Sequence, residues 1–179
     1  MFKKILLAFL ISGAIVLGLV AIQPATYTVT RSAIIAAPPP VVFAAVNDFH
    51  NWQAWSPWAK LNPGMKQTYS GPPAGVGAEY RWSGNASAGE GRMTITESAP
   101  NERVGIQLAF TRPYASSSVI SLRIQPQGAG SVVTWNMMGQ NNFALKALSL
   151  FSSMDKMIGP DFERGLAQLK LQAEAAGQK

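Results

Sequence analysis

Residues 154–173 read MDKMIGPDFERGLAQLKLQA, and Met154, Ile158, Phe162, Leu166, Leu169 and Ala173 follow one another at intervals of three or four. At about 100° per residue that spacing gathers them into one apolar stripe, with Lys156, Glu163, Lys170 and Glu174 gathered on the opposite side. Such a helix has a face to bury. Gly159-Pro160 leaves a second possibility open, in which the continuous helix starts only at Pro160, because proline suits a first helical turn and lacks the donor that an interior position uses.

The partner for that face lies upstream, where the period changes. Met65 to Tyr69, Ala78 to Trp82, Gly89 to Glu97, Arg103 to Phe110, Ser117 to Gln125 and Ser131 to Met138 read as strands, separated by GPPAGVG, SGNAS, SAPNE, RPYA and PQGAG. Val104, Ile106, Leu108 and Phe110 alternate cleanly, as do Val133, Trp135 and Met137, which is the pattern of a sheet with one buried face. Thr26 to Ile35 (TYTVTRSAII) is rich in β-branched residues and is stopped by Pro38, Pro39 and Pro40, giving a seventh strand. The expected architecture is α+β: a curved antiparallel sheet of seven strands around a long C-terminal helix.

Two short helices fill the gap after the first strand. Val41, Val42, Ala45, Val46 and Phe49 keep helical spacing after Pro40, and a second helix is expected through Trp52 to Trp58, closed by Pro57. The run NDFHNWQAWSPW holds three of the five tryptophans, which reads as a lid plugging one end of the sheet. Asn141 and Asn142 precede Phe143 to Phe151, a further short helical segment with Phe143, Ala147, Leu150 and Phe151 on one side.

Ile5 to Ile22 carries no charge over 18 residues and follows Lys3 and Lys4. As a helix it spans about 27 Å, near the roughly 30 Å of a hydrocarbon core. A cleaved signal would want small residues three and one positions before the cut; Leu19-Val20-Ala21 has only the second, and Gln23-Pro24-Ala25 has a large polar residue at the first. A retained single-pass anchor over residues 1–24 is therefore expected, with residues 25–179 as one domain. The positive-inside rule holds the lysines in the cytoplasm and puts the domain on the extracytoplasmic side, the periplasm in a bacterium with an outer membrane.

Composition excludes several classes. Charged residues are 13% and apolar ones 47%, which is not the makeup of a disordered chain. The net charge of +6 includes Lys3 and Lys4, and the remaining basic residues are scattered without a run or a basic face, so nucleic-acid binding is not expected. With no cysteine and one histidine, thiol chemistry and a nitrogen or sulfur metal site are not expected, and no cofactor is implied. No Gly-x-Ser-x-Gly elbow occurs, and no second histidine is present for another triad.

The order strand, two short helices, six strands, long helix is that of the helix-grip fold. Together with IIAAPPPVVFAAVNDFHNWQAWSPW, TYSGPPAGVGAEYRW, GEGRMTITESAPNERV, VTWNMMG and MDKMIGPDFERGLAQLK, it resembles the polyketide cyclase and START-related (SRPBCC) superfamily over roughly Thr28 to Ala173. The resemblance implies a hydrophobic cavity between sheet and long helix that binds lipids, hormones, polyketides or other apolar molecules. It implies no particular reaction, because binders and enzymes share the fold.

The expected ligand is a small apolar or amphipathic molecule, lipid-like or polyketide-like. Trp55, Tyr69, Tyr80, Trp82, Phe110, Trp135, Met137 and Phe162 are the candidate cavity-lining residues, as large apolar side chains of the inner face, lid or helix. No catalytic residue is assigned. The alternative is a cyclase- or dehydratase-type enzyme using His50, Asp48 or Glu90 as acid or base; on a helix, however, residues 48 and 50 would not face one another. A third reading is a scaffold whose own side chains fill the cavity. In the hairpin, a turn about Gly84 to Ala88 is expected to pair Arg81 with Glu90 and Glu79 with Arg92 on the solvated face, leaving Tyr80, Trp82, Met93 and Ile95 inside.

Overall fold

The computed structural model describes residues 2–59 and 64–177. Its elements are α1 (Phe2–Ala21), β1 (Thr26–Ile35), α2 (Pro39–Val46), α3 (Trp52–Trp55), β2 (Lys66–Ser70), β3 (Glu79–Ser83), β4 (Glu90–Ala99), β5 (Arg103–Arg112), β6 (Ser116–Gln127), β7 (Gly130–Gln140), α4 (Phe143–Ser149) and α5 (Met154–Gly177). The strands form one seven-stranded sheet in the order β1-β7-β6-β5-β4-β3-β2, antiparallel throughout. Register shifts between Glu90 and Gly91 and between Ile95 and Glu97 interrupt the β4–β5 ladder, the kind of irregularity that bends a sheet.

α5 crosses the inner face on the β1 side, running in the direction of β1. Arg31 on β1 bonds Asp155 and Glu163, the Lys170 ammonium donates to the Ile34 carbonyl, and the Ala36 amide donates to Glu174. The helix is continuous from Met154 to Gly177 with Pro160 inside it, so the start at Pro160 does not apply. The proline forfeits one bond in the second turn only, and Gly159 has a role of its own. A Cβ there would collide with the Arg31 guanidinium, so the glycine makes room for the ion pair rather than breaking the helix.

The inner face is what the alternation requires. Val104, Ile106, Leu122, Ile124, Val133 and Trp135 are buried in one core with Phe162, Leu166, Leu169 and Ala173 of α5 and with Val42, Val46, Trp52 and Trp55 of α2 and α3. α3 is a single turn that ends at Trp55, shorter than the span to Trp58 expected for it.

The β3–β4 hairpin corrects the expected register by two residues. Arg81 lies opposite Arg92, Glu79 opposite Thr94 and Ser83 opposite Glu90. The loop runs over six residues, 84–89, because the Asn85 carboxamide oxygen accepts from the amides of Ser87 and Ala88 and Gly89 adopts φ 66°. Neither cross-strand ion pair forms. Arg81 instead bonds Glu79 two residues away on its own strand, and Glu90 bonds Arg112 of β5 at 2.7 Å. A shift of two preserves facing, so Tyr80, Trp82, Met93 and Ile95 do share the inner side.

Candidate functional site

The inner face is packed at its middle and less completely covered at Phe110, Met93 and Tyr69. In the middle, Trp135 and Phe162 stack with centroids 4.2 Å apart, and Trp55, Trp58 and Trp52 meet Trp135 edge-on at 5.4, 5.8 and 6.1 Å. Gly165 brings α5 against this cluster, since a Cβ there would stand 2.8 Å from the Trp135 ring. Of the expected lining residues, Trp55, Trp135 and Phe162 are thus 1% exposed or less and belong to a packed aromatic plug. The indole nitrogens of Trp52 and Trp55 donate to the carbonyls of Val46 and Ala45. Trp135 Nε1 is buried without a partner.

Burial falls along β5 toward one end of the sheet. On β5, Val104 and Ile106 are fully buried, Leu108 is 9% exposed and Phe110 is half-buried; on β7 the step is from Trp135 at 0% to Met137 at 6%. Tyr80 and Trp82 of β3 are buried, while Met93, Met65 and Tyr69, and Met154 and Ile158 of the first turns of α5, are partly buried against the same core. The rings form a connected series: Tyr69–Tyr80 at 5.2 Å, Tyr80–Trp82 stacked at 5.8 Å and Trp82–Phe110 edge-on at 5.3 Å. Gly91 lets the Trp82 ring lie flat over β4, where a Cβ would stand 2.7 Å away. Burial raises the Tyr80 phenol to about 12, so it stays a neutral donor at physiological pH.

The fold therefore places Trp55, Trp135 and Phe162 in the packed core, buries Tyr80, Trp82 and Met137 beside them, and leaves Tyr69 and Phe110 half-buried. Met93, Met65 and Ile158 join them without having been singled out from sequence. For Met93 a signal existed, since it sits at inner-face parity with Tyr80 and Trp82. For Ile158 the signal was its place in the apolar stripe four residues before Phe162; for Met65 proximity comes from tertiary packing alone.

His50 and Asp48 correct an expectation. Residues 48–51 form a turn rather than a helix, and Asp48 Oδ1 accepts both the His50 amide at 2.8 Å and the imidazole Nδ1 at 2.7 Å, so the pair does meet. The imidazole stacks on Tyr69 at 4.1 Å beside an open depression of about 260 Å³ lined also by Pro72, Pro73 and Glu79. Glu90 is not part of this constellation. It lies beside Ser83, at the other end of β3 from Glu79, and is engaged by Arg112. A second depression, of about 440 Å³, lies on the solvated face among Lys66, Thr68, Arg81, Arg92, Ala109 and Thr111. Among the described residues no group of three or more His, Cys, Asp or Glu side chains converges as metal ligands would.

Solved structures share this architecture. Protein CV1439 from Chromobacterium violaceum aligns with a TM-score of 0.60 at 18% identity, covering 82% of this chain and 96% of that one. Protein MLL2253 from Mesorhizobium loti aligns at 0.61 and 15%, covering 83% and 98%. Ginseng major latex-like protein 151 from Panax ginseng aligns at 0.58 and 14%, covering 87% and 100%. At these identities the likeness is one of fold. No curated protein sequence matches the chain. The family model described as polyketide cyclase / dehydrase and lipid transport matches residues 26–174, almost the whole span from β1 to the end of α5. The chain belongs to that family, as a helix-grip domain of the hydrophobic-ligand-binding kind.

Proposed function

We propose that the domain binds a small apolar or amphipathic molecule, lipid-like or polyketide-like, in the open end of the grip, without transforming it. Tyr69, Tyr80, Trp82, Phe110 and Met137 form the wall in this reading, with Trp55, Trp135 and Phe162 as the floor. The observation that carries it is incomplete cover on the inner face: alternation assigns Phe110, Met93 and Tyr69 to the core, yet they are only half-buried while Val104 and Ile106 on β5 are fully buried. Apolar surface of that kind gains by being covered, and a ligand is the cover that the family's character supports.

The same proposal makes residues 1–24 a retained anchor and residues 25–179 one extracytoplasmic domain, periplasmic where an outer membrane exists; residues 178 and 179 lie outside the described ones. α1 is 20 residues long, about 30 Å as a helix, and exposes nearly every side chain, which supports a lipid surround. Lys3 and Lys4 at its start support the orientation.

The test is uptake. The full chain, purified in detergent, is titrated with a fluorescent apolar probe while tryptophan emission is followed, and its organic extract is examined by mass spectrometry. Stoichiometric uptake or a co-purifying lipid is expected. A folded protein that takes up no probe and carries no lipid would leave the self-filled scaffold as the better reading. The meeting of His50 with Asp48 favours one other reading, acid–base chemistry at the Tyr69 depression. It requires that His50→Ala abolish turnover of a candidate polyketide while probe binding persists.

A further inference from the structure

We propose that α4 and the rim of the open end lie in the bilayer interface entered by α1, so that the grip opens onto the lipid surface and its ligand arrives from the membrane rather than from solution. This rests on the reading of α1 as a membrane span and of the grip as a binding site, and goes beyond both by fixing their mutual orientation.

Strand register brings the relevant parts to one end of the sheet. Thr26 at the start of β1 pairs with Gln140 at the end of β7, Gly139 pairs with Ser118 near the start of β6, and Phe110 pairs with Ser116 and Gly91. That end is where Phe110 of β5 is only half-buried, beside Trp82. It is also where α1 joins the domain. The membrane helix and the mouth therefore share an end of the molecule, opposite the turn between β6 and β7.

α4 is tied to the last turn of α1. The Asn141 amide donates to the Ala25 carbonyl at 2.8 Å, its carboxamide donates to the Pro24 carbonyl at 3.0 Å, and the Lys146 ammonium donates to the Ala21 carbonyl at 3.3 Å. α1 and α4 pack together, and Val20 is the buried residue of α1. α4 thus sits level with the end of the span. Its sequence is FALKALS, and none of its residues is buried. Phe143 is 59% exposed, Leu148 41%, and Phe151 just beyond it 88%; Met157 of α5 and Tyr114 of the β5–β6 hairpin, 43% and 66% exposed, stand at the same end. Among the described residues nothing covers these exposed apolar side chains, and continuity with α1 identifies their cover as lipid. Lys146 and Lys156 border the patch, where anionic headgroups would meet them.

The absence of cysteine makes the test direct. Ala14→Cys, Phe151→Cys and Ala129→Cys, in the span, the rim and the β6–β7 turn, are each labelled with bimane in the full chain and reconstituted in phosphatidylethanolamine/phosphatidylglycerol vesicles carrying spin-labelled lipid. Shallow labels are expected to quench Phe151→Cys at least threefold more than Ala129→Cys, and deep labels to quench Ala14→Cys. If Ala14→Cys is quenched while Phe151→Cys behaves like Ala129→Cys, the docking is overturned and the anchor stands. If Ala14→Cys is not quenched, both fall. Protection of Phe151→Cys from lipid and aqueous iodide alike would mean a second copy or another protein covers the rim, and also overturns the proposal. The pair Phe143→Asp with Phe151→Asp is expected to slow transfer of an apolar probe from vesicles at least fivefold while leaving its binding from detergent solution unchanged. Unchanged transfer would overturn the membrane route. Loss of binding from detergent by the unmutated chain would instead strike the binding reading.

Discussion

The ring of Trp135 on β7 and that of Phe162 on α5 lie nearly parallel, 19° apart with centroids 4.2 Å from one another, and this contact seats the long helix on the sheet. Both residues are fully buried, and the surrounding tryptophans approach edge-on, the arrangement that aromatic quadrupoles favour. The stack closes the grip below the open end, so it governs folding more than binding. Phe162→Ala is expected to destabilise the full chain by about 3–5 kcal/mol, and Gly165→Leu, which drives a side chain into Trp135 and Pro57, by about 1–3 kcal/mol or more. Urea unfolding followed by tryptophan emission measures both. A loss under about 1 kcal/mol for Phe162→Ala would mean that the stack is dispensable.

The charged ladder on the outside should be nearly silent. A double-mutant cycle between Arg81 and Glu90 is expected to give no coupling, because Arg81 faces Arg92 and Glu90 is held by Arg112. The cycle between Arg112 and Glu90 should give about 0.2–1 kcal/mol, fading with salt, since the arginine side chain is 75% exposed. Coupling of Arg81 to Glu90 above that range would restore the other register.

Acid should loosen the seam between β1 and α5. The Arg31 guanidinium, hydrogen-bonded to Asp155, holds that carboxyl below its ordinary value of 3.8, and Glu79 is likewise lowered by Arg81. A depressed carboxyl contributes stability that is complete above its unfolded value and is lost as pH falls through the lower folded one. Thermal midpoints should therefore decline below about pH 4, and Asp155→Asn should lower the midpoint at pH 7 while shrinking that decline. An unchanged acid slope in Asp155→Asn would show that the pair contributes nothing to the linkage.

What was legible followed local rules, and what was not depended on distant partners. β1 falls at the expected Thr26 to Ile35 because three prolines stop it, and the inner faces of β5 and β7 fall as alternation requires because a period of two admits only two answers. The β3–β4 register was missed because Asn85 and Gly89 build a six-residue loop, yet the facing survived. Gly159 read as a possible break because the residue needing its space, Arg31, is 128 positions away in sequence. The Phe143 to Phe151 segment showed its helical apolar spacing but not that none of the α4 residues becomes buried.

The last prediction separates a binding wall from a packed core. Met93 sits on the inner face between Tyr80 of β3 and Leu108 of β5 and is only half-buried, so in the binding reading a larger side chain there enters the ligand's space. Met93→Trp is expected to cut uptake of an apolar probe at least tenfold, with the thermal midpoint little changed. Ala109→Trp is the outward control, since Ala109 lines the depression on the solvated face while Phe110 turns inward against Trp82. Gly105→Leu, which parity alone also suggests as a control, is unsuitable: a Cβ there would stand 3.0 Å from that of Glu97 beside the β4 irregularity. A filled core would answer differently. There Met93→Trp would destabilise by about 1–3 kcal/mol, and the unmutated chain would show no uptake for the substitution to block.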